Sequence, residues 1–471
     1  TGCRYYFKIN MKDLNALILK IISQIITLMP GFLIAIFLRL AIKQRHANGK
    51  DTVLYKNKSN KYTILALDSE RYRGDLDVLA KSDKFRVLHI RQGWQMLLIQ
   101  ANLKGKHYIH EFKNIDKNTD LYNKHKNTQL LITNVLTKLY KIISIDCVTT
   151  VHFKYLPDYY WTMASESLNI PYIMLYRECN LMSPIIYDMV LSMMASQGVF
   201  HGSHVIVHNQ KCKDVFIQSN FAKENMITIA SALRMDALVN NINQDKYKNI
   251  TKENKRKKFT LFYFPVDSSM FGIKNNKVDV KKYYSSSNYW DKKERFFIQL
   301  HETILKLADE NRDIDFIIKP KDIFMHEKSW NFYEKVVLKS GVDVKKLDNY
   351  IVDAYADVHS LIVESDVVCV GQSSTTIESL ILGKRVIFPA FFEYMDTEYF
   401  KQFPWRNHLG LFDIATSPTE FKKIFHNAMQ SPGISDNIME KRKELYLQCF
   451  DDLTGDAIGR YTKTIINVID Q

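Results

Sequence analysis

Ser373, Ser374, Thr375 and Thr376 stand in a row just after the apolar run DVVCVG (366–371), and Glu378 follows within the next turn. This spacing predicts a buried strand ending at Gly371, a helix opened by small hydroxyl residues, and Gly383 closing that helix. The free N–H groups and positive dipole end of such a helix form an anion site, and small side chains let a phosphate approach closely. Glu378 is then expected to meet a ribose or sugar hydroxyl. Ordinary N-capping by Ser and Thr, with Glu378 as a dipole partner, is the alternative. A second cluster, FIIKPKD, places Lys319 and Lys321 around Pro320 at the end of a strand. Open α/β sheets bind ligands at that edge, so both lysines are candidates for the same anion, against the alternative of a solvated pair. His326, just beyond, is a further candidate for phosphate contact.

The acid–base candidates lie in the first half of the chain. PYIMLY (171–176) runs into Arg177 and Glu178, and a carboxylate at a strand's carboxyl end suits a general base for a hydroxyl. Arg177 is read either as the partner of Glu178 or as a contact for an anionic acceptor, and a structural ion pair is the alternative for both. LDSERYRGDLDVL (67–79) supplies Arg71, Arg73 and Asp75 around Gly74, which permits a tight turn. Asp75 is the second candidate base. Residues 204–236 read as strand, helix, strand and a turn bearing Arg234 and Asp236. No GxGxxG fingerprint occurs, which argues against a dinucleotide enzyme, and the histidines form no HExxH or comparable ligand motif. Neither a metal nor a cofactor is therefore expected. The six cysteines contain no CxxC and read as the reduced thiols of a cytosolic protein.

These residues need a particular scaffold. Short apolar runs at 62–68, 85–90, 144–151, 171–176 and 204–209 alternate with helical stretches, as in a doubly wound parallel sheet. A polar stretch ending in NKRKK interrupts the alternation, which resumes at 259–265, 315–320, 366–371 and 385–390. The expected class is α/β, with two Rossmann-like domains at 51–240 and 259–436, joined by a linker at 241–258. A helical segment at 437–471 is expected to pack back across the domains. The polar stretch 267–289 is long for a βα connection and is expected to be a functional loop.

Residues 1–50 form a region apart. From Ala16 to Lys43 the chain is strongly apolar, interrupted by Lys20, Gln24, Pro30-Gly31 and Arg39 and closed by Lys43, Arg45, His46 and Lys50. A re-entrant or in-plane helical anchor on an anionic membrane is expected, with a single span and a docked soluble helix as alternatives. No role is assigned to Thr1–Asn10. Lys and Arg total 65 against 51 Asp and Glu, a net charge of +14 that favours an anionic partner. No basic stripe with interleaved aromatics or recognition-helix motif points to nucleic acid.

The segment 365–391 resembles the C-terminal donor-binding signature of GT-B glycosyltransferases, with strand, small-residue turn, Glu-bearing helix and strand entry in order. The bacterial capsule and surface-polysaccharide transferases and the teichoic-acid glycerophosphotransferases share it. FIIKPKD is similar to their Lys-Pro-His-Pro element, with Lys321 and Asp322 in place of His-Pro. Residues 231–236 are similar to their Gly-x-Pro-Arg-x-Asp turn, with Ser231 and Leu233 in place of Gly and Pro. The resemblance implies a GT-B fold whose two domains face a cleft. The implied donor residues are Lys319, Lys321, Gly371, Ser373, Ser374, Thr375, Thr376 and Glu378. Arg71, Arg73, Gly74, Arg177, Arg234, Asp236 and His326 would line the acceptor side or cleft. It also implies a glycosyltransferase acting on a nucleotide-activated sugar and a glycan or glycolipid acceptor, at the inner face of a bacterial plasma membrane. A polyol-phosphate transferase, a sugar-nucleotide epimerase and an inactive polysaccharide-assembly partner are the competing readings.

Overall fold

The computed structural model describes residues 26, 29–55, 59–103, 107–112, 115–244, 256–262, 289–320, 327–371, 373–391, 400 and 403–471. The chain forms two compact units. Of the described residues, the N-terminal unit holds those from Ile26 to Leu181, then Tyr187–Asn240 and Gln448–Gln471; the C-terminal unit holds those of Asn241–Leu447 together with Met182–Ile186.

The N-terminal unit contains β1 (Lys43–Arg45), β2 (Asp51–Val53), β3 (Tyr62–Leu67), β4 (Phe85–Ile90), β5 (Cys147–Thr150), β6 (Tyr172–Leu175), β7 (His204–Val207) and β8 (Ile227–Ile229). They form one sheet in the order β2-β1-β4-β3-β5-β6-β7-β8. The ladders from β4 to β8 are parallel. Residues of β3, β4, β5 and β6 are buried almost throughout because helices cover both faces, which accounts for their unbroken apolar runs. One core packs Ile64, Val87, Ile173 and Ile206 against Tyr461 and Ile465 of the Ala457–Ile469 helix.

The C-terminal unit contains β9 (Lys257–Phe262), β10 (Ile314–Lys319), β11 (Tyr350–Val352), β12 (Val367–Val370), β13 (Arg385–Pro389) and β14 (Asp413–Ala415). Their order is β11-β10-β9-β12-β13-β14, all parallel. Phe259, Phe316 and Phe425 pack in its core with Leu300, Ile304 and Ile387. The two parallel sheets meet the expectation of two Rossmann-like domains. β9 begins at Lys257, inside the stretch read as a linker. The terminal segment is divided. Arg442 donates to the carbonyls of Lys384 and Leu411 in the C-terminal unit, while the Asp236 carboxylate accepts from the N–H groups of Ala457 and Ile458, both at 2.8 Å, in the N-terminal unit.

The N-terminal segment corrects the expectation of an apolar anchor. Its described part is an 11-residue helix, Gly31–Ala41, about 16 Å long, and among the described residues no helix is long and apolar enough to cross a membrane. Ile34, Ala35 and Leu38 are buried, and the helix packs on the Asp120–Ile142 helix. Directly after it, β1 joins the sheet antiparallel to β4, Lys43 facing His89 and Arg45 facing Val87. The sequence reading gave weight to hydropathy, but the sheet edge and the long helix both needed covering. Residues 1–25, the linker at 245–255 and the loop stretch 263–288 lie outside the described residues.

Candidate functional site

Each sheet has one place where the strand order reverses, and open α/β sheets bind ligands at the carboxyl ends of the strands flanking it. In the C-terminal unit that place lies between β9 and β12. β12 ends in Gly371, and the Ser374–Ile381 helix starts just beyond. Ser373 is the N-cap, its Oγ accepting from the Thr375 N–H at 3.3 Å, and Thr376 Oγ1 donates to the Gly371 carbonyl at 2.9 Å. Thr375 and Thr376 are buried, whereas Ser373 and Ser374 are half-exposed at the helix start. Among the described residues, chain neighbours apart, a Cβ built on Gly371 would meet nothing within 4 Å. Gly383, with φ +67°, ends the helix turn in the left-handed conformation a glycine takes most cheaply.

The other donor-side residues are placed differently. Glu378 is buried at 3% exposure, with His359 Nε2 at 3.4 Å from its carboxylate. His359, one of the histidines that form no ligand motif in the sequence, lies in a different element, the Val358–Glu364 helix. Lys319 sends its ammonium to the carbonyls of Ala354, at 2.6 Å, and Pro320, at 3.1 Å, so it ties the end of β10 to the segment after β11. Lys321 and His326 lie outside the described residues.

In the N-terminal unit the order reverses between β3 and β5. Beyond β3 the chain makes a turn in which Asp68 (φ 52°), Arg73 (φ 46°) and Gly74 (φ 96°) are all left-handed. Strain of this kind at non-glycine residues persists only when the surroundings fix it. Two buried carboxylates do so. Asp68, 6% exposed, pairs with Arg71 Nε, and Asp75, 5% exposed, lies 2.7 Å from Arg177 Nε and accepts from the Arg234 N–H at 3.2 Å. Arg177 also donates to the Arg71 carbonyl. Burial pushes the Arg177 pKa down, Asp75 opposes that shift, and Arg234 and Arg73 add to it. Arg71, Arg73, Gly74, Asp75, Arg177 and Arg234 are thus brought to one sheet edge, with Asp75 as an ion-pair anchor. Glu178 is exposed at the end of β6. Asp236 is apart from them, since its carboxylate caps the C-terminal helix.

The sequence reading passed over four residues here. Asp158, 6% exposed in the first turn of the Leu156–Glu166 helix, is raised to about 7 by burial, with Asp68 adding to the shift and Thr150 and Arg71 opposing it. Tyr155 lies under the Arg71 guanidinium at 3.4 Å from its ring centroid. His152 Nδ1 accepts from the N–H groups of Phe153 (2.9 Å) and Lys154 (3.3 Å), which leaves the proton on Nε2. Burial, helped by Lys154 and Arg71, keeps that ring neutral. His208, 1% exposed at the end of β7, is likewise held well below the ordinary histidine range by burial and by Arg234 and Arg177. Only position marks these four: each follows a strand's carboxyl end, but none falls in a familiar motif. Among the described residues no group of three His, Cys, Asp or Glu side chains is placed to hold a metal ion.

No protein-family model and no curated protein matches the chain. Among solved structures it is similar to the UDP-GlcNAc 2-epimerase of Neisseria meningitidis bound to UDP-GlcNAc, at 15% identity and TM-score 0.44, covering 87% of this chain and 98% of that one. It is also similar to a variant of the wall teichoic acid polymerase TagF, at 15% identity and TM-score 0.48, covering 98% and 99%. A Staphylococcus aureus MnaA–UDP structure matches at 12% identity and TM-score 0.45, covering 87% and 98%. These neighbours are GT-B-fold enzymes, the superfamily that the sequence motifs resemble. At such scores the likeness is loose, and the two-sheet architecture stands on the strand order itself.

Proposed function

We propose that this chain transfers a sugar from a nucleotide-sugar donor to a glycan or glycolipid acceptor, with the nucleotide held by the C-terminal unit. The observation that carries this reading is the hydroxyl-lined helix start at the β9/β12 reversal, directly after Gly371. Backbone N–H groups at a helix start receive a phosphate without a large side chain in the way. On this reading the nucleotide-sugar is a substrate and no further cofactor takes part. The hydroxyl of the acceptor attacks the anomeric carbon while the nucleotide phosphate leaves. The acceptor belongs to a bacterial surface polysaccharide, and the protein works at the cytoplasmic face of the membrane.

A thermal-shift panel of UDP, CMP, CDP, GDP and dTDP tests the donor reading, because a ligand that binds only the native state stabilises it by mass action. One member at 100 times its Kd is expected to add about 2.7 kcal/mol, and a panel in which no nucleotide raises the melting temperature would sink the assignment.

A further inference from the structure

We propose that the outward face of the Gly31–Ala41 helix is an interface on which a second copy of this chain docks, helix against helix across a two-fold axis. The face is built by spacing. Phe32, Ile36 and Leu40 recur every four residues with Phe37 beside them, so they form one stripe along the helix, opposite the buried Ile34, Ala35 and Leu38. No acidic residue lies on the helix, and its single basic side chain, Arg39, donates to the Leu54 carbonyl. Two copies of such a stripe meet without like charges opposing each other.

The apolar surface continues onto both neighbours of the helix. The bond from Arg39 ties the helix to the segment leaving β2, where Leu54 is buried and Tyr55 is turned outward. At its start the helix abuts the Asp120–Ile142 helix, for a Cβ built on Gly31 would stand 2.9 Å from Asn134 Nδ2. Exposed Leu130 lies one turn before Asn134 on that second helix. Phe32, Ile36, Phe37, Leu40, Tyr55 and Leu130 are 41% to 83% exposed. At about 200 Å² for a whole large side chain, they leave roughly 700 Å² of side-chain surface bare. Single exposed apolar residues need no explanation, but a contiguous patch beyond about 600 Å² marks an interaction surface.

Area and symmetry select a second copy as the occupant. Each partner of a standard-size interface buries roughly 800 Å², close to what this patch offers. The stripe is also self-complementary. In an antiparallel pair centred on Ile36, Phe32 of one copy meets Leu40 of the other while Leu40 meets Phe32, as an isologous interface requires. Each chain carries a net charge of +14, which opposes association at long range, so two copies come together most readily through a face whose one cation is already engaged. Added salt screens that repulsion and should tighten the pair, whereas binding to an anion would weaken.

Sedimentation velocity of the full chain over a concentration series is the test. Interfaces of this size bind with a Kd of about 1 µM or tighter, so a dimer is expected well below about 100 µM. Ile36→Glu and Ile36→Lys each place like charges across the axis and should each weaken the dimer about a hundredfold or more, while circular dichroism shows the fold kept. An equal mixture of the two variants sets Glu against Lys and should recover the dimer, which a merely misfolded variant would not do. A chain that stays monomeric at about 100 µM, a dimer that both variants leave intact, or a mixture no tighter than either variant alone would overturn the proposal. In a monomeric chain, a Phe37→Cys thiol that resists alkylation would show the face covered by its own chain, and one alkylated at once would show it bare. Either result also excludes the second copy.

Discussion

Ser374 is the residue at which phosphate binding and helix capping make opposite demands. It is half-exposed at the first helical position, while Ser373 already supplies the cap bond to Thr375. If the helix start holds a donor phosphate, Ser374→Asp puts a fixed negative charge where the ligand's charge must go. Nucleotide affinity should then fall at least about tenfold, or roughly 1.4 kcal/mol, while the fold survives, because an acidic residue is favourable near a helix N-terminus. Ser374→Ala keeps the backbone donors and should cost less. Calorimetric titration of both variants with the stabilising nucleotide measures this, and an Asp variant with unchanged affinity would remove the phosphate site. The hydroxyl row was legible in the sequence because strand, glycine, cap and helix are contiguous. Asp68 and Asp158 were not, since 90 residues separate two groups that meet only when β3 and β5 lie side by side.

At the scale of elements, the sequence revealed the strands that are buried on both faces and hid those that are not. The apolar runs at 62–68, 85–90 and 366–371 stand out because helices cover both sides of β3, β4 and β12. β1, β2 and β11 are three-residue strands at sheet margins, and no periodicity can register in so short a stretch. Asp236 shows how an element is secured from a distance. Expected at a cleft, it instead satisfies the first N–H groups of the Ala457–Ile469 helix, 221 and 222 residues away in sequence. Asp236→Ala should cost about 1–3 kcal/mol of stability with little effect on nucleotide affinity, and Asp236→Asn should cost less, both read by chemical denaturation. The Gly31–Ala41 helix is apolar on two faces, one against the body and one outward.

For the whole molecule, the distribution of buried histidines between the units predicts how stability responds to acid. His89, His125, His152, His204 and His208 in the N-terminal unit are all lowered, chiefly by burial, His204 to about 4. In the C-terminal unit His301 is lowered to about 3 by the same cause. A lowered histidine stays neutral in the folded chain while the unfolded chain takes up its proton near pH 6.5, so the stability it contributes is present above that pH and lost below it. Asp158 acts in the opposite sense. Raised to about 7, it binds its proton in the folded chain first, and so adds stability as the pH falls from about 7 towards the ordinary carboxylate range. Among the described residues of the N-terminal unit six histidines are lowered, His201 being the sixth, against four raised carboxyl groups, Asp68, Asp158, Glu166 and Asp236; the histidines set the sign between pH 7 and 5.5, and each uncancelled proton steepens the dependence by at most about 1.4 kcal/mol per pH unit. Scanning calorimetry of the ligand-free chain should therefore show the N-terminal unit's transition falling more steeply with acid than that of the C-terminal unit. Asp158→Asn should steepen the fall further by removing one opposing group, and His301→Leu should flatten only the C-terminal unit's smaller response. A transition that stays level or rises from pH 7 to 5.5 would show that these imidazoles are charged in the folded chain, and that the neutral His152 and His208 of the N-terminal sheet edge are wrongly assigned.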